Sequence, residues 1–412
     1  MAVLRQQPPS RRRLHPASPL CILFVLLSLL LSILSITSTI KSSTKIITTK
    51  PYNQPRPLNV DEIGNPYHNF GLFETDYEQM LNNLKIFVYP DIYGNSSSPF
   101  SNIFVPIPNP TNPKLGNYYS EHAFKSSLMR SSFVTMDPDR ADLFFMPFSV
   151  NAMRNDRRLH SESSISDFVA RYAGKIGSEL GFWNKSGGAD HFFVCCHSVG
   201  REAASKNWEL RNNAIQVTCS SSYFQRFFLP HKDVALPQIW PRPEETLLNP
   251  PVAREKLVFF SGRVQNSRVR QDLLAMWEND GDMYINTLNQ SLPYLEGFKR
   301  SRFCLHVKGY EVNTARVCDA IHYGCVPVII SNYYELPFAN VLDWSKFAVI
   351  IRQEDISLLK KILLSISDNN YLEMYNNLNI IRKHFRWNEK PQRYDSFHMI
   401  IYQLWLRRNS HY

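Results

Sequence analysis

The first fifty residues contain no aspartate or glutamate, and the rest of the 412-residue chain contains no long run of lysine or arginine. Those two absences decide how the net charge of +10 is read. Arg5, Arg11, Arg12, Arg13, Lys41, Lys45 and Lys50 supply +7 before residue 51, so only +3 remains for residues 51–412. A folded region so nearly neutral has no electrostatic footprint for DNA or RNA, which excludes a nucleic-acid partner. The chain also lacks any C-x-x-C pair or His-rich tract, which argues against a structural zinc site. The loop PDIYGNSSSPF after the first apolar run has one glycine and no basic residue, so a sulfotransferase-type phosphosulfate loop is discounted there.

A third absence is positive information. Between Leu20 and Ile40 there is no charged residue, and the centre, LCILFVLLSLLLSILSI, is long enough to span a hydrocarbon core. It exceeds a signal-peptide h-region and has no A-x-A-like cleavage site, so it is expected to stay as an anchor. Four arginines before it and three lysines after it place residues 1–19 in the cytosol and the bulk of the chain in a lumen. Sequons at Asn95, Asn184 and Asn289 fall on that lumenal side. Cys21 lies in the membrane segment, which leaves Cys195, Cys196, Cys219, Cys304, Cys318 and Cys325 in an oxidising compartment, where some are expected to pair.

Residues 41–83 are rich in Ser, Thr, Pro and Asn with little periodicity and read as a stem. Beyond them, short apolar runs alternate with helical patterns. The runs are KIFVY (85–89), LFFMPF (143–148), HFFVCC (191–196), KLVFF (256–260), RFCLHV (302–307), VPVII (326–330) and FAVII (347–351). Several are apolar on both faces, as buried parallel strands are. Helical periodicity covers 118–129, 164–178, 314–323, 356–365 and 371–385. Alternation of this kind predicts an α/β fold with parallel sheets. The proline-rich stretch 236–254 breaks regular structure, so the boundary is set between a domain of residues 84–245 and one of 246–412. Two such Rossmann-like domains, facing each other, would bind ligands at the carboxyl ends of their strands.

Phe303–Phe338 reads as strand, glycine turn, helix, glycine stop, strand, with Gly309 at the turn and Gly324 ending the helix. Glu311 and Arg316 then sit at the turn and first helical turn, where backbone N–H groups favour phosphate. Arg316 can hold a diphosphate bidentately, and Glu311 can accept hydrogen bonds from a ribose diol. An ordinary surface ion pair between them is the plainer alternative. In LVFFSGRVQNSRVRQDLL a strand ends at Ser261 and Gly262, and Arg263, Arg268 and Arg270 precede or open a helix.

FCLHVKGYEVNTARVCDAIHYGCVPVIISNYYELPF resembles the signature of the exostosin-like glycosyltransferases (family 47) in their plant form. YYSEHAFKSSL, TMDPDRADLFFMPFSV, FWNKSGGADHFFVCCHSVGR and LVFFSGRVQNSRVRQDLL agree in order, so the resemblance spans roughly residues 84–390. It implies a two-domain GT-B-type nucleotide-sugar fold, metal-independent transfer with inversion, Golgi residence and synthesis of plant wall polysaccharide. It also supports Arg268 and, more strongly, Arg270 as diphosphate contacts. FCLHVKGYE departs from the pattern, since plant relatives usually carry a second Cys and a Pro-Ser before the Gly. No cofactor is implied beyond a nucleotide-sugar substrate.

Inversion needs a general base facing the cleft from the N-terminal half. Glu121 and His197 are the leading candidates, with His122 and His191 behind them; Asp190 and His191 enter a buried strand and read as structural. Two D-x-D triplets, Asp137–Asp139 and Asp280–Asp282, sit in ordinary turns and are assigned no metal. The alternative to an enzyme is a transferase-like, non-catalytic subunit that supports a partner glycosyltransferase.

Overall fold

The computed structural model describes residues 65–91, 100–104, 116–224, 228–240, 242, 248–265, 267–286 and 293–408. The cytosolic tail, the membrane segment, the first part of the stem and the sequons Asn95 and Asn289 lie outside the described residues. Among the described residues no helix is long and apolar enough to cross a membrane.

All seven runs expected to be strands contain strands, and the structure adds four more. In the first half the strands are β1 (Ile86–Val88), β2 (Val134–Thr135), β3 (Leu143–Phe145), β4 (His191–Cys195), β5 (Ile215–Thr218) and β6 (Val234–Ala235). They form a parallel sheet in the order β2-β1-β3-β4-β5-β6. The second half contributes β7 (Lys256–Ser261), β8 (Met283–Asn286), β9 (Ser301–Val307), β10 (Val326–Ile330) and β11 (Val349–Ile350), parallel throughout in the order β11-β10-β9-β7-β8. Every residue of β4 and β10 is buried. That explains runs such as HFFVC and VPVII that are apolar on both faces.

The two sheets share one winding. In each, the second strand lies outside the first, and the third lies on the first strand's other side, so the order reverses between the first and third strands. In open α/β sheets the crevice for a ligand opens at that switch point, beyond the carboxyl ends of the strands. For the second sheet this is the gap between the ends of β7 and β9. The chain crosses between sheets after Ala235 and re-enters at Lys256 through the proline-rich stretch. That stretch is anchored by Arg254, whose guanidinium donates to the carbonyls of Asn249, Phe298, Ser301 and Tyr323.

Residues 65–83, read from sequence as the end of a stem, are folded. Helix α1 (Phe70–Asn83) is capped by Asn69, whose side chain accepts from Leu72 N–H at 3.0 Å, and buries Phe73, Tyr77 and Met80 at helical spacing. Its face packs on the C-terminal helix α8 (Ser396–Arg407), from which Tyr402 and Trp405 both donate to Asp76 at 3.0 Å. The pattern escaped a local reading because only three apolar side chains in four turns carry it, and the partner lies more than three hundred residues away. Helix α8 is apolar almost all round because it returns to the first half, packing on α1, on α2 (Tyr119–Met129) and on β6.

Disulfides tie neighbouring strands in each sheet: Cys196–Cys219 joins the residues that follow β4 and β5, and Cys304–Cys325 joins β9 to the start of β10. Cys304 therefore has a partner despite the departure in FCLHVKGYE. The bridges close loops of 23 and 21 residues in sequence separation. On chain-entropy grounds, each is worth about 3 kcal/mol. Paired Cys→Ser replacements at either bridge are expected to lower unfolding free energy by that amount, and the two losses should add because the bridges sit in different sheets. Urea midpoints of the two variants and their combination check this.

Candidate active site

The second sheet's switch point opens into a cleft of about 790 Å³. Ser261, Gly262 and Arg263 line it from the end of β7, and the segment Gly309–Arg316, except Val312, lines it from the end of β9. Arg316 is the first residue of helix α6 (Arg316–His322); its Nε donates to Ser261 O at 2.5 Å, and its guanidinium lies over the Phe260 ring. Arg270, on helix α4 (Arg268–Trp277), is buried; it donates from Nε and Nη2 to Val307 O at 3.1 and 2.9 Å and from Nη1 to Arg263 O at 2.7 Å.

The two glycines at this switch point are there because arginine occupies the space a side chain would take. A Cβ on Gly262 would stand 2.5 Å from Arg316 Nη2, and one on Gly309 would stand 2.7 Å from Arg270 Nη2. At such distances the guanidinium end, not the backbone, would have to shift. Among the described residues no carboxylate lies within ion-pair distance of either guanidinium. Burial, with the neighbouring Arg316 charge second, presses Arg270 down to about 10, and burial also lowers Arg316. Two partly desolvated cations side by side, the nearby Asp319 carboxylate being already held by Arg242 and Tyr294, suit a ligand anion.

Around this pair the cleft offers hydrogen-bonding groups. Glu311 is the one carboxylate among the described lining residues, and its Oε1 accepts the N–H of Ser198 at 3.3 Å, across from the first half. Asn313, 4% exposed, donates to Gln238 Oε1 at 2.7 Å, while its Oδ1 has no partner among the described residues. That acceptor suits a ligand O–H or N–H. Arg242 and Tyr294 also line the cleft; both donate to the buried Asp319, from Arg242 Nε and Nη2 at 3.1 and 2.5 Å and from Tyr294 O–H at 2.9 Å. Beneath the β9 loop, His306 is fully buried between Thr314 Oγ1 at 3.0 Å and Val312 O at 2.8 Å, which shapes the turn that carries Glu311 and Asn313.

Of the residues singled out from sequence, Ser261, Gly262, Arg270, Gly309, Glu311 and Arg316 meet here. Three do not. Arg268 is solvent-exposed and pairs with Asp272 at 3.0 Å, one turn along its helix. Glu121 is buried away from the cleft and accepts from Ser149 Oγ at 2.5 Å and from Asn151 and Cys196 N–H, each at 3.1 Å. Its oxygens are committed to the loops after β3 and β4, so it is a structural clamp. His197 stands behind Tyr118, ring on ring at 4.6 Å, and only Tyr118 reaches the cleft. Its Nδ1 accepts Val199 N–H at 3.1 Å, an arrangement that puts the proton on Nε2 and takes up the lone pair a base would use. Asp190, His191 and Tyr89 form a buried chain with 2.6 Å contacts, a structural role as the sequence suggested.

The D-x-D carboxylates are held by turn and ion-pair contacts outside the cleft. Asp137 accepts Asp139 N–H, Asp139 pairs with Lys185, and Asp280 and Asp282 both pair with Lys360. Sequence reasoning missed Tyr118, Gln238, Trp240, Arg242, Tyr294 and Asn313 as lining residues. Gln238, Trp240 and Arg242 sit in the proline-rich crossover, which has no periodicity to announce a function.

Several buried histidines set the acid stability of this arrangement. Burial pushes His306 down to about 3, and His122, His322 and His384 to about 4. Each stays neutral when folded but takes up a proton when unfolded below its ordinary value of about 6.5. Their contribution is therefore full above pH 6.5 and is lost as pH falls toward 4. Burial raises Glu121 and Asp319, which pull the other way, yet both are held by donors that favour the carboxylate. Thermal melting followed from pH 7.5 to 4.5 is expected to show a steady fall in melting temperature below 6.5.

Residues 80–366 match the Exostosin GT47 domain. A probable glycosyltransferase of Arabidopsis thaliana is 36% identical over 360 residues, covering 84% of this chain and 66% of that protein. Another from the same plant is 38% identical over 294 residues, covering 68% and 60%. The chain thus spans somewhat under two thirds of the length of these relatives. More distant is a probable beta-1,4-xylosyltransferase of Arabidopsis thaliana, 26% identical over 295 residues, covering 66% of this chain and 72% of that one. With most of its sheet-forming length and its cleft glycines and arginines inside the matched residues 80–366, the chain belongs to the exostosin GT47 family.

Proposed function

We propose that this protein is an inverting, metal-independent glycosyltransferase that moves a sugar from a nucleotide-sugar, UDP-linked, onto a plant cell-wall polysaccharide such as pectin, xyloglucan or xylan. The carrying observation is the pair of guanidiniums at the switch point, Arg270 buried and Arg316 half-buried, neither of them in an ion pair among the described residues. As the bond from the anomeric carbon to the diphosphate breaks, negative charge grows on the leaving oxygen, where fixed cations stabilise it most. Arg316, with Nε already held by Ser261 O, directs its remaining N–H groups toward that position. Glu311 would then receive the ribose hydroxyls and Asn313 Oδ1 a further donor of the ligand. The acceptor hydroxyl attacks the opposite face of the anomeric carbon, from the side of the cleft walled by Tyr118 and the first half, as the bond to the diphosphate breaks, and its proton passes to solvent through the open cleft.

The two parallel sheets meeting at one cleft support a GT-B-type arrangement. Relatives named as probable glucuronosyl- and xylosyltransferases support a wall-glycan acceptor. The uncharged segment 20–40 supports a type II anchor in the Golgi membrane with the cleft in the lumen. Asn184, exposed beside helix residue Lys185, supports glycosylation there.

The test uses the full chain purified in detergent. UDP should raise its melting temperature, since a ligand at a hundred times its Kd adds about 2.7 kcal/mol to the folded state. A panel of UDP-sugars against wall oligosaccharides, with and without chelator, should show one donor turned over and no effect of chelator. Absence of UDP stabilisation would sink the donor site. Stabilisation without turnover on any pair would favour the non-catalytic, partner-supporting role.

A further inference from the structure

We infer that Phe224 and Tyr333 form an aromatic platform that binds the acceptor saccharide on the seam between the two halves. Both rings are exposed, 78% and 58%, and they lie 5.5 Å apart at 35°. They come from opposite halves: Phe224 from the loop after β5, Tyr333 from the loop after β10, both at carboxyl ends of parallel strands. Those are the ends at which the cleft opens. The loops are stitched together by backbone. Tyr223 N–H donates to Tyr333 O at 2.9 Å, Ser222 and Tyr334 pair as an antiparallel bridge, and Glu335 N–H donates to Ser221 O at 3.0 Å. On the inner side, Tyr334 packs against His306 at 5.6 Å, the same histidine that shapes the cleft loop.

Tyr333 has φ +62°, a left-handed conformation that costs a side-chain-bearing residue about 1–2 kcal/mol and that glycine or asparagine would adopt more readily. A strained backbone that presents a large ring to water, rather than burying it, has no folding rationale and points to use. The ligand class follows from the surroundings. The exposed rings of Phe224, Tyr333 and neighbouring Tyr223 fall far short of the roughly 800 Å² per partner of a protein interface, and polar Asn332 and Glu335 flank Tyr333 and its neighbour Tyr334 along the chain. A pyranose ring offers what fits: a flat C–H face for the negative ring face, and equatorial hydroxyls for polar neighbours.

This inference rests on the acceptor being a glycan, as proposed above, and its test separates the two. The full chain is titrated calorimetrically with xylohexaose, a xyloglucan heptasaccharide and hexagalacturonate, and with UDP in parallel. Wild-type protein should bind at least one oligosaccharide. The Phe224→Ala, Tyr333→Gly double variant should bind it about tenfold or more weakly, with a matching rise in acceptor KM and unchanged UDP affinity. Tyr333→Gly relieves the positive φ, so the melting temperature should hold or rise. Tyr333→Phe should keep wild-type saccharide affinity, because the ring is retained. Equal saccharide affinity in the double variant overturns the platform, and so does binding of none of the three sugars by wild type, the result a protein-docking surface would give. Loss of UDP binding in wild type would instead count against the donor site.

Discussion

Replacement of Arg316 by alanine is expected to cut kcat for sugar transfer by roughly 10²–10³-fold, the usual consequence of removing one preorganised donor from developing charge. The argument rests on position. Arg316 opens a helix, is fixed through Nε to Ser261 O, has Phe260 beneath it, and forms no ion pair among the described residues. Its remaining donors are therefore available to a ligand, and water is largely excluded around them. Arg316→Lys should recover only part of the loss, because a lysine cannot both hold the Ser261 carbonyl and offer a planar fork. Gly262→Ala is expected to act in the same direction from outside the ligand contacts, since its Cβ would displace Arg316 Nη2. Steady-state kinetics, with circular dichroism to check folding, read all three. Wild-type turnover in Arg316→Ala would remove the basis for the donor site. Arg270→Ala is a poorer probe, since it also orphans the carbonyls of Val307 and Arg263.

Glu121→Ala is expected to destabilise the fold by about 3–5 kcal/mol, the range for uncovering partners of a buried charge. The loss leaves the Ser149 hydroxyl and the N–H groups of Asn151 and Cys196 without an acceptor, and it removes the negative charge nearest Lys125. Lys125 is itself buried, held by the carbonyls of Phe104 and Pro147, and burial presses it down to about 7. A general base would behave in the opposite way: its removal would abolish turnover and leave the melting temperature where it was. Chemical denaturation paired with kcat measured well below the melting point separates the two. A large fall in kcat at unchanged stability would return Glu121 to the list of catalytic groups.

Much of the α/β plan was legible because its signals are local. Runs such as HFFVCC and VPVII are apolar on both faces only where strands are covered on both sides, and Gly324, at φ +69°, ends helix α6 as its position after the periodic TARVCDAIHY requires of a helix stop. Strands β2, β5, β6 and β8 were not legible, since no continuous apolar run of five or more residues marks them. Helix α1 was read as stem because its stability comes from α8, at the far end of the chain.

At the site the division is sharper. Sequence by itself determined that glycine turns and arginines stand at the ends of β7 and β9, since strand, turn and helix N-terminus follow from neighbouring residues. Only the tertiary structure decided which arginines face the cleft: residues 268 and 270 are about 200° apart around their helix, so when one is buried against Val307 the other must face solvent. It also decided that Glu121 is a clamp and His197 a backing for Tyr118, because a carboxylate or imidazole acquires its role from the donors packed around it. Those donors, Ser149, Asn151, Cys196 and Val199, come from the turns and helix starts after β3 and β4, which only the parallel sheet brings to one end.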